Sequence, residues 1–223
     1  VTPSFGAEQK PTPAPFPSAD REVVYQGEPV AVVLAEPKYQ ASDASNLIDV
    51  DYEQLPAVMD LDKALEAKSP KVHSDGPDNL AWDLTYIPDD AAVMKEADVV
   101  IKTRILQQRI APTSMETRGV LAEYSKPDGT MTVWMSSQSP HFVRLFLGGA
   151  MGIPENRLRV ISPDVGVCFG AKISPYSEAW LVPADAKPSG RPVKWRESRH
   201  APLQTTPPGQ GPASHMTPGR RRA

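Results

Sequence analysis

Residues 130–151 read TMTVWMSSQSPHFVRLFLGGAM and decide the fold of the second half of the chain. In the first six positions every second residue is apolar, which indicates a strand over 130–135. Ser139 and Pro140 then provide a capping residue and a first-turn proline, so a helix is expected over 139–151, with a glycine directly after it. The sequence therefore predicts that Gln138 lies at a junction where a strand ends and a helix begins.

More strands are predicted on either side of this pair. Lys126-Pro127-Asp128-Gly129 indicates a hairpin turn, because proline presets φ and glycine tolerates positive φ. The other predicted segments are strands over 97–110, 120–124, 158–161 and 192–195, a loop over 163–172, and a helix from Ser174-Pro175 to Trp180.

The first third of the chain has the pattern of a strand, a helix and a strand. The run PVAVVLA at 29–35 predicts a buried strand, and DVDYE at 49–53 alternates like a second one. Between them, apolar or small residues three and four apart predict a helix over 38–48 with one buried face. We therefore expect a compact domain over 21–67 with a sheet packed on this helix, and a short helix over 61–67 at its end.

Composition excludes several classes of function. The chain has 223 residues, of which 40% are hydrophobic and 23% charged, as is usual for one good-sized globular domain or two small ones. The net charge of −3 gives no electrostatic case for nucleic acid. No apolar run approaches the roughly 18 residues of a membrane span, and no signal peptide is visible. Proline clusters at both ends, so residues 1–20 are expected to be irregular, and 200–223 to be disordered or translated out of frame.

Residue types that carry metal or acid–base chemistry are scattered along the chain. The four histidines have no zinc-ligand spacing, and no phosphate-binding or dinucleotide motif occurs. Cys168 is the single cysteine, so an iron–sulfur cluster within this chain is not expected, and a cytoplasmic location fits. By residue type alone, Cys168 is expected to be a small buried apolar side chain.

Two features suit ligand binding, and local structure alone explains them as well. The loop PDVGVCFGAK at 163–172 has small residues that let backbone N–H groups approach a ligand, but a plain strand-to-helix turn has the same composition. Gln138 lies where free helix donors begin, and its amide can donate to a bound oxygen atom or satisfy nearby backbone. The residues alone leave both interpretations open.

Several motifs in a fixed order resemble a known family. TVWMSSQSPHFVR, GIPENRLRVISPDVG, FGAK and GRPVKW resemble the first cofactor domain of molybdenum hydroxylase large subunits, the family of aerobic carbon monoxide dehydrogenase and xanthine or aldehyde oxidoreductases. METRGVLAEY agrees with this resemblance, and YQGEPVAVVLAE with ASNLIDVDYEQLPAV resembles the hammerhead domain that precedes it. The resemblance covers about residues 24–195, and the sequences of these motifs are more similar to the carbon monoxide dehydrogenase-like branch.

The resemblance implies cofactor-binding roles for particular residues. Gln138 matches the glutamine that hydrogen-bonds an oxo ligand of molybdenum. Gly166, Phe169 and Gly170 match a loop of glycines and phenylalanine beside the metal and the pterin, and Ala171 in the same loop is also expected to bind the cofactor. No side chain of this chain is expected to ligate the metal.

The sequence departs from the family pattern within that loop. Val167 and Cys168 stand where the family usually has glycines, and Ala171 replaces another glycine. A β-branched valine does not readily adopt positive φ, so a distorted loop is expected. Ile173 stands where purine-hydroxylating members carry glutamate, which argues against a purine substrate.

The fold implied by the resemblance is α+β, a hammerhead-type domain followed by a partial α/β molybdenum-cofactor-binding domain. The expected divisions are an irregular proline-rich segment over 1–20, a partial hammerhead domain over 21–75, a linker over 76–90, a partial molybdopterin-binding domain over 91–199 and the tail over 200–223.

The resemblance also implies a function. The chain would belong to the molybdopterin-binding subunit of an oxidoreductase that hydroxylates or oxidises a small substrate, such as carbon monoxide or an aldehyde, with oxygen from water. Its cofactor would be molybdopterin with molybdenum, in the cytosine dinucleotide form if the branch is right. FAD and iron–sulfur clusters would be carried only by partners, a FAD-binding medium subunit and an iron–sulfur small subunit.

The resemblance further implies that no catalytic residue lies in this chain. The general-base glutamate of the family is far toward the C-terminus of its members, beyond Ala223, so we expect a truncated fragment that is inactive alone. Prolines within 179–195, where an uninterrupted helix is expected, suggest a degraded gene. The alternative function is therefore a catalytically inactive remnant that binds at most a partner subunit.

Overall fold

The computed structural model describes residues 22–80, 94–108, 110–201, 213–216 and 219–220. The chain divides into two units, Gln9–Trp82 and Asp83–Ala223, the second together with Val1–Glu8. The predicted irregular segment at 1–20 and most of the predicted linker lie outside the described residues.

In the unit Gln9–Trp82, two short helices are the regular elements of the described residues: α1 (Lys38–Ser45) and α2 (Leu61–Ala64). Asp60 caps α2, because its carboxylate accepts hydrogen bonds from the backbone N–H groups of Asp62 and Lys63 at 3.0 and 3.3 Å. Asn79 ties the following residues together, since its amide donates to the carbonyl of Ala64 at 2.9 Å and to that of Pro70 at 2.8 Å.

The predicted strands in this unit are wrong. Residues 29–35 and 49–53 form no strand in the described part of this unit, and Val30, Val32 and Leu34 are exposed. A strand requires a partner for its backbone groups, which the apolar pattern of one segment does not supply. The helix expected over 38–48 is present but ends at Ser45 and buries no residue, so a sheet packed on it is also wrong.

A four-stranded sheet organises the described part of the other unit. Its strands are β3 (Gly119–Ser125), β4 (Thr130–Met135), β5 (Leu158–Ile161) and β6 (Val193–Arg196), in the order β5-β4-β3-β6. β3 is antiparallel to β4 and β6, whereas β5 is parallel to β4. The hairpin predicted at 126–129 is confirmed, and so are the four predicted strands, to within one residue at each end.

Two helices cover this sheet and form its core. α3 (Pro140–Met151) connects the parallel strands β4 and β5, as a crossover must, and α4 (Ser177–Ser189) packs on β3 and β6. The predicted strand-to-helix junction is confirmed, and α3 ends at Gly152, whose φ of 64° is left-handed. The core residues are Val120, Ala122, Met131, Val133, Met135, Val143, Leu147, Ile153, Leu158, Ala179, Val182 and Ala186.

α4 runs nine residues beyond the predicted end at Trp180, and it does so through two prolines. Pro183 and Pro188 lie inside the helix, where each lacks the backbone donor for an i→i−4 hydrogen bond. The buried positions Ala179, Val182, Pro183 and Ala186 follow a three-and-four spacing, so burial of this face favours the helix over the proline preference.

The segment that precedes the sheet and the C-terminal tail differ from expectation. The long strand predicted over 97–110 is two short ones, β1 (Val99–Val100) and β2 (Thr103–Leu106). They pair antiparallel with β8 (Gly219–Arg220) and β7 (Ala213–Met216). The prediction that 200–223 is disordered is therefore wrong for these strands, because ladder hydrogen bonds come from backbone groups that any non-proline residue supplies.

No helix among the described ranges has both the length and the apolar character that crossing a membrane requires.

Replacing Pro188 by alanine should stabilise the chain. Pro188 is exposed in the last turn of α4, so the change restores a helix donor without removing core packing. We expect the free energy of unfolding in urea to rise by about 1–2 kcal/mol, with Pro188→Gly rising less because glycine is the poorer helix former. Equal or lower stability of the alanine variant would contradict a helix that continues through this position.

Candidate functional site

The candidate site lies at one end of the four-stranded sheet. β4 and β5 end there, β3 begins there, and the loop over 162–176 connects β5 to α4 at the same end. Ser162 bridges the two parallel strands, since its hydroxyl donates to the carbonyl of Ser137 at 2.7 Å. The carboxyl ends of parallel strands beside a helix N-terminus are where α/β sheets commonly bind ligands.

Gln138 is held by the backbone of Lys172. The backbone N–H of Gln138 donates to the carbonyl of Lys172 at 2.9 Å, and the N–H of Lys172 donates to Oε1 of Gln138 at 3.2 Å. The Gln138 side chain is exposed, and among the described residues none accepts a hydrogen bond from its Nε2. The amide therefore has one end fixed and a free donor at the surface.

Glu116 connects the two ends of the loop. Its Oε2 accepts hydrogen bonds from the backbone N–H of Gly166 at 2.8 Å and from Nζ of Lys172 at 2.7 Å. Ser136, just beyond β4, donates to Oε1 at 3.4 Å. The Lys172 side chain is 1% exposed, so its ammonium is buried and has Glu116 as its charged partner.

The charge of Glu116 is stabilised in the folded chain. Desolvation raises the pKa of Glu116, but the hydrogen bonds from Lys172 and Gly166 outweigh it and hold the pKa below its ordinary value of 4.5. This carboxylate is therefore ionised at neutral pH and neutralises the buried ammonium.

The loop has an unusual backbone between these anchors. Val167 and Phe169 have positive φ values of 64° and 51°, and Gly170 has 85°. Left-handed φ strains residues that have a Cβ, most of all a β-branched one, so the distortion expected at Val167 is observed as backbone strain. Phe169 is 70% exposed, and a Cβ built on Gly170 meets nothing within 4 Å, so the outer face of the loop is open.

Gly166 is favoured for a different reason. A Cβ placed on it would lie 3.0 Å from the Cβ of Glu116, which is tighter than most such contacts, so one of the two residues would have to shift. The glycine at 166 therefore serves the close approach of the loop to Glu116.

The residues predicted from the sequence have different roles in this site. Gln138, Gly166 and the end of the loop are joined through Lys172 and Glu116. Phe169 and Gly170 form its exposed tip, and Ala171 closes a turn by donating to the carbonyl of Cys168 at 2.9 Å. Cys168 is partly exposed, so the expectation that it is buried is wrong. The tip reverses direction there, which keeps its side chains from the core.

Sequence reasoning missed the residues that hold the site together. Glu116 lies in the segment METRGVLAEY and Lys172 at the end of the loop, and no motif in the sequence connects them. Each is a charged residue, a type that is also typical of a solvated surface. Their pairing across 56 residues is a product of the fold.

A second buried cation, Arg118, lies just before β3. Its Nη2 and Nε contact Oε1 of Glu197 at 2.6 and 3.1 Å, and its backbone N–H donates to Oε2 of the same residue at 2.9 Å. Nη1 contacts Glu178 in α4 at 2.7 Å, and the guanidinium lies 3.9 Å from the ring centroid of Tyr176. Burial raises the pKa of Glu178, which Arg118 only partly offsets. This cluster fixes the end of the loop at the start of α4.

Two known families match the chain. Residues 72–221 match the family described as molybdopterin cofactor-binding domain, and residues 4–56 match the aldehyde oxidase and xanthine dehydrogenase a/b hammerhead domain. The first match extends into the C-terminal tail.

Several curated proteins are similar to this chain in sequence. The chain is 34% identical over 202 residues to the carbon monoxide dehydrogenase large chain of Afipia carboxidovorans, covering 84% of this chain and 25% of that one. It is 36% identical over 186 residues to the nicotine 6-hydroxylase large subunit of Paenarthrobacter nicotinovorans, covering 82% and 23%. The chain thus spans about a quarter of the length of the curated relatives it matches.

Solved structures have a similar fold. Quinoline 2-oxidoreductase from Pseudomonas putida 86 aligns with a TM-score of 0.72 and 30% identity over 84% of this chain and 24% of that chain. Reconstituted CO dehydrogenase from Oligotropha carboxidovorans aligns with a TM-score of 0.72 and 31% identity over 82% and 25%.

Replacing Val167 by glycine should relieve strain. A left-handed non-glycine residue costs about 1–2 kcal/mol, and the added backbone freedom of glycine in the unfolded chain removes part of the gain. We expect the free energy of unfolding to rise by up to about 1 kcal/mol. The control is Val165→Gly, where φ is not positive and stability should fall by about 1 kcal/mol. A loss at both positions would show that Val167 is unstrained.

Replacing Glu116 by glutamine should destabilise the chain in a pH-dependent manner. Because folding lowers the pKa of Glu116, its contribution is present above the ordinary value of 4.5 and is lost as pH falls through the folded value. The difference in unfolding free energy between wild type and Glu116→Gln should thus be large at pH 7 and shrink below pH 4.5. A pH-independent difference would contradict an ionised Glu116.

Proposed function

Because the chain belongs to the molybdenum hydroxylase family, the group of xanthine dehydrogenases, aldehyde oxidases and carbon monoxide dehydrogenases, we propose that it supplies part of the cofactor-binding surface of a large subunit. The observation that carries the proposal is the side chain of Gln138. Its Oε1 is occupied by the Lys172 N–H, so Nε2 faces outward as a hydrogen-bond donor beside an open loop.

These residues fit the proposed cofactor. An amide fixed at its oxygen presents an N–H that suits an oxo group, and the fixed orientation avoids the entropic cost of ordering a free side chain. The loop adds open backbone at Gly170, where no atom lies within 4 Å of the Cβ position. When bound, molybdopterin with molybdenum would supply the centre that accepts two electrons from the substrate.

The role of this chain would be to bind and orient. Gln138 would donate to an oxo oxygen, and the loop from Gly166 to Ala171, with Phe169 and Gly170 at its tip, would cover one side of the cofactor. A cofactor held on one side makes fewer hydrogen bonds and stays open to water, so affinity for this chain alone should be low.

The finer parts of the proposal rest on the relatives and on the residues at the loop. Carbon monoxide dehydrogenase and nicotine 6-hydroxylase large subunits favour a small or flat substrate, and the exposed apolar Ile173 disfavours a purine that needs a charged partner. We include in the proposal the cytosine dinucleotide form, partners that carry FAD and iron–sulfur clusters, and a cytoplasmic location.

A second candidate is a non-catalytic module that binds at most a partner subunit. The strained Val167 favours it, because a loop with a left-handed valine has lost the freedom that glycines provide near a ligand. The two candidates differ in whether the chain retains molybdenum.

The test is expression in a host that makes molybdenum cofactor, followed by measurement of molybdenum by mass spectrometry and of pterin by fluorescence. We expect less than one molybdenum per wild-type chain and no dye reduction with carbon monoxide or aldehydes. Gln138→Leu should retain about 10-fold to 100-fold less molybdenum than wild type, since a hydrogen bond to a charged group contributes about 1.5–3 kcal/mol to binding.

The matched control is Gln108→Leu, which removes another exposed glutamine, one outside the loop over 162–176, and should retain as much molybdenum as wild type. No metal above background in wild type, or equal loss in both variants, would favour the non-catalytic module. Stoichiometric metal with turnover would refute the expectation that the chain is inactive alone.

A further inference from the structure

The orientation of Gln138 depends on a residue distant in sequence. The backbone N–H of Gln138 donates to the carbonyl of Lys172, and its Oε1 accepts from the backbone N–H of Lys172, which lies 34 residues away. Ser137 also donates to the carbonyl of Lys172, at 3.4 Å. The direction of the free Nε2 donor is therefore only as well defined as the backbone of Lys172.

The side chain of Lys172 ties that backbone to Glu116. Its ammonium is buried and contacts Oε2 of Glu116 at 2.7 Å. A buried ammonium that loses its carboxylate must reach water or rearrange, because an unpaired charge is costly in the interior. Either response displaces the backbone to which Gln138 is bound.

Glu116 itself is fixed from the opposite side. Ser114 donates its hydroxyl to the carbonyl of Glu116 at 2.8 Å, and Arg199 donates to the carbonyls of Ser114 and Met115 at 2.6 and 3.2 Å. The N–H of Glu116 donates to the carbonyl of Gly166 at 3.4 Å. These contacts hold the backbone of Glu116, and both ends of the loop are attached to this residue.

We propose that Glu116 is the positioning residue for Gln138, acting through the buried side chain of Lys172. The proposal deepens the function proposed above, on which the contact between Gln138 and an oxo group rests. Glu116 does not touch the cofactor; it determines where the amide donor of Gln138 points and how the loop over 166–172 closes.

The experiment is NMR spectroscopy of the full 223-residue chain with ¹⁵N label. Two signals report on position: the side-chain amide of Gln138 and the hydrogen exchange of the Lys172 N–H. In Glu116→Gln, which keeps an acceptor oxygen but removes the charge, Lys172 exchange should accelerate at least about tenfold and the Gln138 amide shifts should move toward solvent values.

The matched control is Glu155→Gln, which breaks an exposed ion pair with Arg144 at 2.9 Å. It should leave both signals unchanged, whatever its small effect on stability. Glu116→Asp keeps the charge on a shorter side chain and should give an intermediate change. Were Glu116→Gln not to fold, the aspartate variant decides: a change at Gln138 above the control supports the proposal, and none overturns it.

This test separates the two proposals. Unchanged Gln138 and Lys172 signals in the Glu116 variants overturn the positioning role, whether or not wild type retains molybdenum. Changed signals in a chain that retains no molybdenum leave the positioning role standing and refute the cofactor proposal.

Discussion

A buried cation requires a carboxylate within hydrogen-bonding distance, and one end of this sheet meets that constraint twice. Lys172 has Glu116 at 2.7 Å, and Arg118 has Glu197 and Glu178 at 2.6 and 2.7 Å. Neither set of ion pairs stabilises the fold more than apolar residues of equal volume would. Removal of one partner, however, would leave an uncompensated buried charge. The pairs therefore specify which segments meet at this end of the sheet more than they stabilise it.

Those segments could be predicted individually, but their pairing could not. The strand-to-helix junction at Gln138 and the hairpin at 126–129 carry local signals, a capping pair and a proline–glycine turn. Glu116 meets Gly166 and Lys172 across 50 and 56 residues, and Arg118 meets Glu197 across 79. Spacing in the sequence carries no such information, so the resemblance predicts a role for Gln138 but not for the residues Lys172 and Glu116 that hold it.

The wrong predictions have the same origin. The residue types in an apolar run such as 29–35 are typical of a strand. Whether the strand forms depends on another segment that pairs with its backbone groups. Conversely, Ala213–Met216 lacks a strand pattern and still pairs with Thr103–Leu106, because the ladder uses backbone groups. α4 shows a third case, in which a buried face formed by Ala179, Val182 and Ala186 holds a helix together through Pro183.

The loop at the site follows from its two anchors. Gly166 and Lys172 bind the same carboxylate oxygen of Glu116, so the residues between them must leave and return to one point. Val167, Phe169 and Gly170 occupy left-handed positions within this reversal. Glycine would take two of these conformations with less strain, yet here they belong to side-chain-bearing residues that point outward. The strained residues thus lie between two attachments to Glu116, so a loop that departs from the glycine-rich pattern is still held at both ends beside Gln138.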